Sequence, residues 1–321
     1  MSNPEPTLTV GPLTAAPGSR ATGRIPIDLG EAVVDVPVVL VNGARPGPRV
    51  GVTAGIHGAE YVSIAALREV AMSVDPAALS GSIVAVLTAN PPAFAARSIY
   101  VNPLDGRNLN RVFPGDAAGT PSERLAAWLF ANVIAPADAF VDMHCGDMNE
   151  ALVSFTGVEE TGDPAVDACS FAMAEAYGLG TLLVGSMPGS TTTAAATAGI
   201  PAVLGEVGGQ GRWPAEDVAL HAAGLRRVLR SLGMVDEAPD KPRRPTVRLD
   251  REAWLRSQVD GCWEPSVDVG DHVAEGQVVG TVRDVFGAPL QVVTSPLDGV
   301  VLFLVTSLAM NAGDPLLAVA G

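Results

Sequence analysis

Between residue 49 and about residue 233, short apolar runs alternate with segments whose apolar residues recur at helical spacing. No other feature of the chain restricts its fold as strongly. Val33–Val41 reads as a strand, and Asn42–Pro48 as a cluster of turn formers. Arg49–Ala54 is a short apolar run of the kind found in buried parallel strands. After the tight loop Gly55-Ile56-His57-Gly58, the residues Val62, Ala65, Ala66 and Val70 mark a helix from Ala59 to about Val74, stopped by Asp75-Pro76. Ser82–Leu87 is a further strand, closed by Asn90-Pro91-Pro92. Helices follow at Ser122–Val133, Pro164–Tyr177 and Glu216–Leu232, and strands at Ala139–Met143 and Pro201–Leu204. This order predicts an α/β domain with a mainly parallel or mixed central sheet flanked by helices. In such sheets ligands bind beyond the carboxyl ends of the strands. His57, His144 and Glu206 each stand just after a predicted strand.

The pattern changes after the last helix. Residues 236–246 are charged and Pro-rich, and the chain divides into a hydrolase-type domain over 1–237, a linker over 238–257 and a C-terminal unit over 258–321. In that last unit seven glycines, Gly261 to Gly313, punctuate short Val-rich runs, which reads as a small all-β barrel or sandwich. Residues 97–116 form a long polar loop rich in Asn and Arg. A loop of that length inside a compact domain is uncommon unless it is functional.

Composition removes several classes of function. The net charge of −15 repels nucleic acid and anionic membrane surfaces, so neither is expected as a partner. The only lysine, Lys241, lies in the linker, which excludes Schiff-base and P-loop chemistry. Cys145, Cys169 and Cys262 form no CxxC and are odd in number, as expected for a reducing compartment. With no basic-then-apolar N-terminal segment and no apolar stretch of about 18 residues, the expected location is the cytoplasm. A homo-oligomer is left open.

His57-Gly58-Ala59-Glu60 places an imidazole and a carboxylate three residues apart at a strand-to-helix junction. Both are good zinc ligands, and a catalytic zinc needs three protein ligands with one open position. His144 is the candidate third ligand, and Asp142 a candidate to orient it. The competing account is a surface histidine beside a helix-capping glutamate. His221 and His272 are assigned structural roles. Glu206, within Gly205–Gly211, is the candidate proton shuttle, with the glycines expected to let backbone approach substrate. In the polar loop, Arg97, Arg107, Asn110 and Arg111 are candidates for anchoring a substrate carboxylate and polarising a carbonyl.

At these residues the sequence resembles the succinylglutamate desuccinylase/aspartoacylase family, relatives of the zinc carboxypeptidases. The matching pieces are Gly55–Glu60, Asp105–Gly115, Asp142–His144 and Gly205–Gly208, in the family's order over about 150 residues. The resemblance implies one zinc ion on His57, Glu60 and His144, with Glu206 as general base and acid. It implies Asn110 and Arg111 on the substrate carboxylate, and Arg97 or Arg107 on the carbonyl. The tail around Ser295–Val301 also resembles the biotinyl/lipoyl barrel, but it has no lysine to modify, leaving a structural or gating role. Aspartoacylase-type enzymes use a tyrosine from the C-terminal domain, whereas Tyr61, Tyr100 and Tyr177 all come earlier. The expectation is therefore a zinc amidohydrolase that deacylates small N-acyl amino acids. The rivals are a carboxypeptidase on the same fold and a non-catalytic metal- or ligand-binding protein.

Overall fold

A computed structural model describes residues 6–236 and 246–321. Its centre is a nine-stranded mixed sheet. In chain order the strands are β1 (Ser19–Asp28), β2 (Val33–Asn42), β3 (Arg45–Ala54), β4 (Ser80–Val86), β5 (Ala139–His144), β6 (Phe155–Val158), β7 (Thr181–Val184), β8 (Ala202–Glu206) and β9 (Val247–Leu249). Their spatial order is β9-β7-β6-β8-β5-β3-β4-β2-β1. The middle of the sheet, β8-β5-β3-β4, is parallel throughout, while β1, β2 and β6 join it antiparallel.

Strand pleating sends successive side chains to opposite faces, and each face finds its own core. Val50, Val52, Val141 and Val203 pack with α1 (Tyr61–Ser73), α4 (Pro164–Tyr177) and α6 (Ala215–Ser231) through Leu67, Met173 and Leu225. Val38, Leu40, Val84 and Phe140 pack on the other face with α3 (Pro121–Leu129) and α5 (Thr191–Thr197), and with the small hairpin of Leu8–Val10 and Leu13–Ala15. Short α2 (Pro91–Ala96) starts at Asn90, whose side chain caps Ala93. No helix of the described residues is long and apolar enough to cross a membrane.

The carboxyl ends of β3, β5 and β8 lie side by side. Ala54 is in register with Met143, and Glu206 with His144. The polar loop 97–116 crosses this edge. It is held by a one-turn helix at Leu109–Arg111 and by Asn102, which is fully buried and accepts the Leu104 backbone N–H.

The C-terminal unit consists of two antiparallel sheets around Trp263, with Val282, Val301, Phe303 and Leu317 in its core. It is stitched to the larger region through a short strand, Glu150–Leu152, that pairs antiparallel with Gly299–Val305. Within 238–257, read from the sequence as a linker, residues 238–245 lie outside the described residues. The rest is largely strand: β9 closes the large sheet beside β7, and Glu252–Arg256 pairs with Pro315–Ala320 of the C-terminal unit. Pro and charge marked a boundary there, but pattern alone did not separate three-residue β9 from its surroundings.

Candidate metal centre

Gly55, at φ +67, turns the chain out of β3. At Gly58 a Cβ would lie 2.1 Å from the backbone of α2, so only glycine lets the loop pass. The turn delivers His57 and Glu60 to the start of α1. Glu60 occupies the N-cap position but makes no side-chain cap hydrogen bond. Its carboxylate instead lies between the two imidazoles, with Oε1 2.6 Å from His57 Nδ1 and Oε2 2.9 Å from His144 Nδ1. The helix-capping alternative is thereby removed. The three ligand atoms lie within 4.8 Å of one another.

Each imidazole is held by its other nitrogen. His144 Nε2 is 2.8 Å from Asp142 Oδ2, and His57 Nε2 is 3.0 Å from Asn108 Oδ1. Asp142 is fixed in turn by Thr53 Oγ1 at 2.6 Å and by the Thr191 hydroxyl. Such bonds place the proton on Nε2 and leave the Nδ1 lone pair facing the cluster. Two imidazoles and a carboxylate on one side, each oriented from behind, fit a zinc ion that keeps an open position. Asp142 was singled out in the sequence for this orienting role. Asn108 was not, although it stood in the quoted Asp105–Gly115 motif.

Electrostatics follow from burial. Removal from water would push the Glu60 carboxyl up, but the charges of His144 and His57 and their hydrogen bonds bring it down to about 2. Burial disfavours charge on His57 as well, yet Glu60 leaves its pKa raised. His221 is buried and is pushed down to about 3. Neutral at ordinary pH, it donates from Nε2 to the His144 carbonyl at 2.9 Å and accepts from the Tyr177 hydroxyl at 2.6 Å. It braces the strand end and contributes no ligand atom to the cluster, while His272 is exposed in the C-terminal unit.

Glu206 ends β8 beside His144. Its Oε2 is buried with no hydrogen-bond partner among the described residues. Burial first, and then the charges of Glu60, Glu150 and Asp142 against the opposing His144, raise its pKa well above the ordinary carboxylate range. The glycines around it do not serve a ligand. Gly205 is approached by the Tyr177 ring, Gly208 by Asp217 and Gly209 by the Glu150 carbonyl, and none of the three lines the cavity. The expectation that they admit substrate is corrected: they make room for the protein's own packing.

A cavity of about 550 Å³ opens over the cluster, a size suited to a small molecule. His57, Glu60, His144, Glu206, Asn110 and Arg111 all line it. Asn110 is buried and accepts from the Thr191 backbone N–H at 2.9 Å, tying the polar loop to α5. Arg97 and Arg107 do not line it. Arg97 caps α2 at φ +54 with its side chain exposed, and Arg107 forms a 2.6 Å ion pair with Glu123. The carbonyl-polarising role expected for one of them has no geometric basis here. The loop carries both outward, and spacing in the sequence could not show which way their side chains leave it.

Several cavity residues carried no sequence signal as site residues. Tyr100 adopts φ +60, rare for a bulky residue. Its backbone N–H bonds Asp147 Oδ2 at 2.8 Å, and its phenol faces Asn149 and Glu150. Glu150 is buried and pushed up to about 7. From the C-terminal unit come Glu252, Trp254, Arg256, Leu302 and Phe303.

An α/β sheet with a histidine–glutamate–histidine cluster at its carboxyl edge, roofed by a small β domain, defines the class to which this protein must be compared. Residues 46–232 match the model of the succinylglutamate desuccinylase/aspartoacylase catalytic domain, and the chain belongs to that family. It is 28% identical over 309 residues to the N-alpha-acetyl-L-2,4-diaminobutyric acid deacetylase of Halomonas elongata, covering 92% of this chain and 90% of that protein. The fold superposes on the product-bound ectoine utilization protein EutE (DoeB) of Ruegeria pomeroyi with a TM-score of 0.85 at 26% identity, covering 99% and 98% of the two chains. It also superposes on a succinylglutamate desuccinylase/aspartoacylase of Rhodobacter sphaeroides with a TM-score of 0.82 at 29% identity, covering 94% and 95%.

Proposed function

We propose that the chain is a zinc-dependent deacylase that hydrolyses the amide bond of a small N-acylated amino acid, with the metal on His57, Glu60 and His144. The observation that carries this reading is the meeting, in one cavity, of a three-ligand cluster with the Glu206 carboxylate, whose buried Oε2 has no hydrogen-bond partner among the described residues. When bound, a zinc ion supplies a Lewis acid that polarises a carbonyl and makes water easier to deprotonate.

The chain's own residues account for the rest. Glu206 takes the proton from the attacking water and returns it to the departing amine. A carboxyl whose pKa is lifted by burial is suited to hold that proton between the two steps. Arg111 lines the same cavity and offers a planar fork to the free carboxylate of the amino acid half. Asn110, bonded to Thr191, fixes the backbone from which Arg111 projects. Phe155, Leu183, Leu204 and Phe303 supply apolar wall. The diaminobutyrate-type substrate of the Halomonas relative is the first candidate for this chain.

A panel of N-acetyl amino acids assayed beside short unblocked peptides tests the reading. Release of acetate from the former is the expected result. Cleavage of peptides alone would replace it with a carboxypeptidase. Glu206→Ala is expected to abolish hydrolysis while bound zinc persists, and unchanged turnover would remove Glu206 from the mechanism.

A further inference from the structure

The first strand of the C-terminal unit, Glu252–Arg256, runs antiparallel to Pro315–Ala320. Pleating puts its odd and even positions on opposite faces. Glu252, Trp254 and Arg256 all line the cavity, and so do Ala318 and Pro315, the cross-strand partners of the last two. An irregularity in register next to Leu255 and Arg256 sets Pro315, rather than Leu316, opposite Arg256. Leu316 and Leu317 both stay in the core. Bulges beside functional sites commonly re-aim a side chain in this way.

The charges on this wall are distributed unevenly. Glu252 accepts from Trp254 Nε1 at 3.1 Å, and Glu159 from the hydroxyls of Ser186 and Thr193. Among the described residues, the two arginines of the cavity are bound only to backbone carbonyls. Arg111 Nη1 donates to Asn110 at 2.7 Å, and Arg256 Nη1 to Gly313 at 2.9 Å. Among the described residues neither has an ion-pair partner, whereas Arg107, Arg248 and Arg283 each do. The two are also close enough to feel each other. Burial, and then the charge of Arg256, lower the Arg111 pKa. Like charges facing one cavity from two domains repel, and a carboxylate placed between them converts that repulsion into two charge-assisted contacts.

We propose that Arg256 is a specificity-determining residue that joins Arg111, across the seam between the two domains, in a two-guanidinium subsite for the free carboxylate of the substrate. Naming that carboxylate as the amino acid half of an N-acyl amino acid rests on the deacylase reading. The anion subsite itself rests on the placement of the two side chains. The C-terminal unit therefore reads the substrate directly as well as narrowing the cavity. A molecule with the same amide but no carboxylate loses the contact.

The test compares the full-length, metal-loaded wild type with Arg256→Ala and Arg256→Lys. The probes are N-acetyl-L-2,4-diaminobutyrate and its carboxamide. For the acid, Arg256→Ala is expected to raise KM about 10- to 100-fold with kcat within about threefold, and Arg256→Lys to recover part of the loss. The carboxamide KM is expected to be the same in all three proteins. Calorimetric binding of both probes in a Glu206→Gln background gives the same comparison without turnover. An Arg256→Ala effect below about twofold, or equal effects on acid and carboxamide, overturns the subsite. So does a wild type that binds the acid no more tightly than the carboxamide. Binding of the acid that depends on Arg256 without any hydrolysis would keep the subsite and sink the deacylase reading.

Discussion

The two walls of the cavity are built on opposite terms. On the metal side both histidines and Asp142 are buried or nearly so, and each is held by a second group: His57 by Asn108, His144 by Asp142, Asp142 by Thr53 and Thr191. On the side formed by Glu252–Arg256, Trp254 and Arg256 are exposed to the cavity, each with a single hydrogen bond. The first wall is over-determined, as a reaction centre must be if its atoms are to meet within fractions of an ångström. The second leaves side chains free to be satisfied by a ligand. On the reading proposed above, the reacting groups stand on the larger domain, while recognition is shared between its Arg111 and Arg256 of the C-terminal unit.

The largest effect that would break this comparison lies at Glu60. Among the described residues, its carboxylate is the group that touches both imidazoles. Glu60→Ala is expected to lower metal content measured by atomic emission and to cut kcat/KM by roughly a thousandfold or more. Retained stoichiometric metal would show that the cluster is not the centre. Next comes Glu206→Gln, an isosteric change that cannot accept the proton. Expected is a fall in kcat of roughly 10²- to 10⁴-fold with metal content unchanged. The pair of variants separates holding the metal from moving the proton, the roles proposed for Glu60 at the start of α1 and for Glu206 at the end of β8.

At the seam between the walls, Glu150 gives a pH signature. Its pKa rises from 4.5 to about 7 on folding, chiefly by burial, with Asp147 and Glu60 adding to the rise and Tyr100 opposing it. The folded chain keeps this proton where the unfolded chain has lost it. Below about pH 4.5 the group contributes no penalty. As pH climbs to about 7 stability falls, by up to about 3 kcal/mol, and then levels off. Glu150→Gln, measured by urea unfolding of chelator-treated protein at pH 5 and pH 8, is expected to flatten that difference. A wild-type protein equally stable at both values would show that Glu150 ionises freely.

Much of the metal wall was legible beforehand, for a physical reason. Parallel strands buried on both faces must be continuous apolar runs, so the polar residues that end them stand out: His144 after Ala139–Met143, Glu206 after Pro201–Leu204. Helices α1, α4 and α6 were visible through spacing; α4 keeps the expected bounds, and those of α1 and α6 shift by one or two residues. Short elements were not. Phe155–Val158, Thr181–Val184 and Thr191–Thr197 are four to seven residues long, too short to show a period. The recognition wall was illegible for a related reason. Arg256 sits next to a Pro-rich stretch and reads as part of it, and only tertiary pairing with Pro315–Ala320 reveals a strand with a cavity-facing side.

A subtler loosening of the metal wall is expected from Asp142→Asn. The amide keeps the volume and the Thr53 bond but loses the charge behind His144. Zinc affinity, from competition with a chromogenic chelator, is expected to drop about 10- to 100-fold. An unchanged affinity would mean that His144 is held well enough by Glu60 and its own strand.

The smallest effect distinguishes loop position from cavity position. Arg97 lies in the same polar loop as Arg111, and the family resemblance offers it, or Arg107, for the carbonyl. Yet its side chain is exposed at the C-cap of α2 and forms no part of the cavity wall. Arg97→Ala is expected to leave kcat/KM within about threefold. Arg97→Gly, relieving a left-handed backbone at φ +54, is expected to raise the melting temperature slightly, corresponding to a few tenths of a kcal/mol up to about 1 kcal/mol. A hundredfold loss of kcat in Arg97→Ala would mean that the loop reorganises when substrate binds and swings this guanidinium inward. Arg97 would then join the reacting wall, and the division of labour between two fixed surfaces would have to give way to one completed only by the ligand.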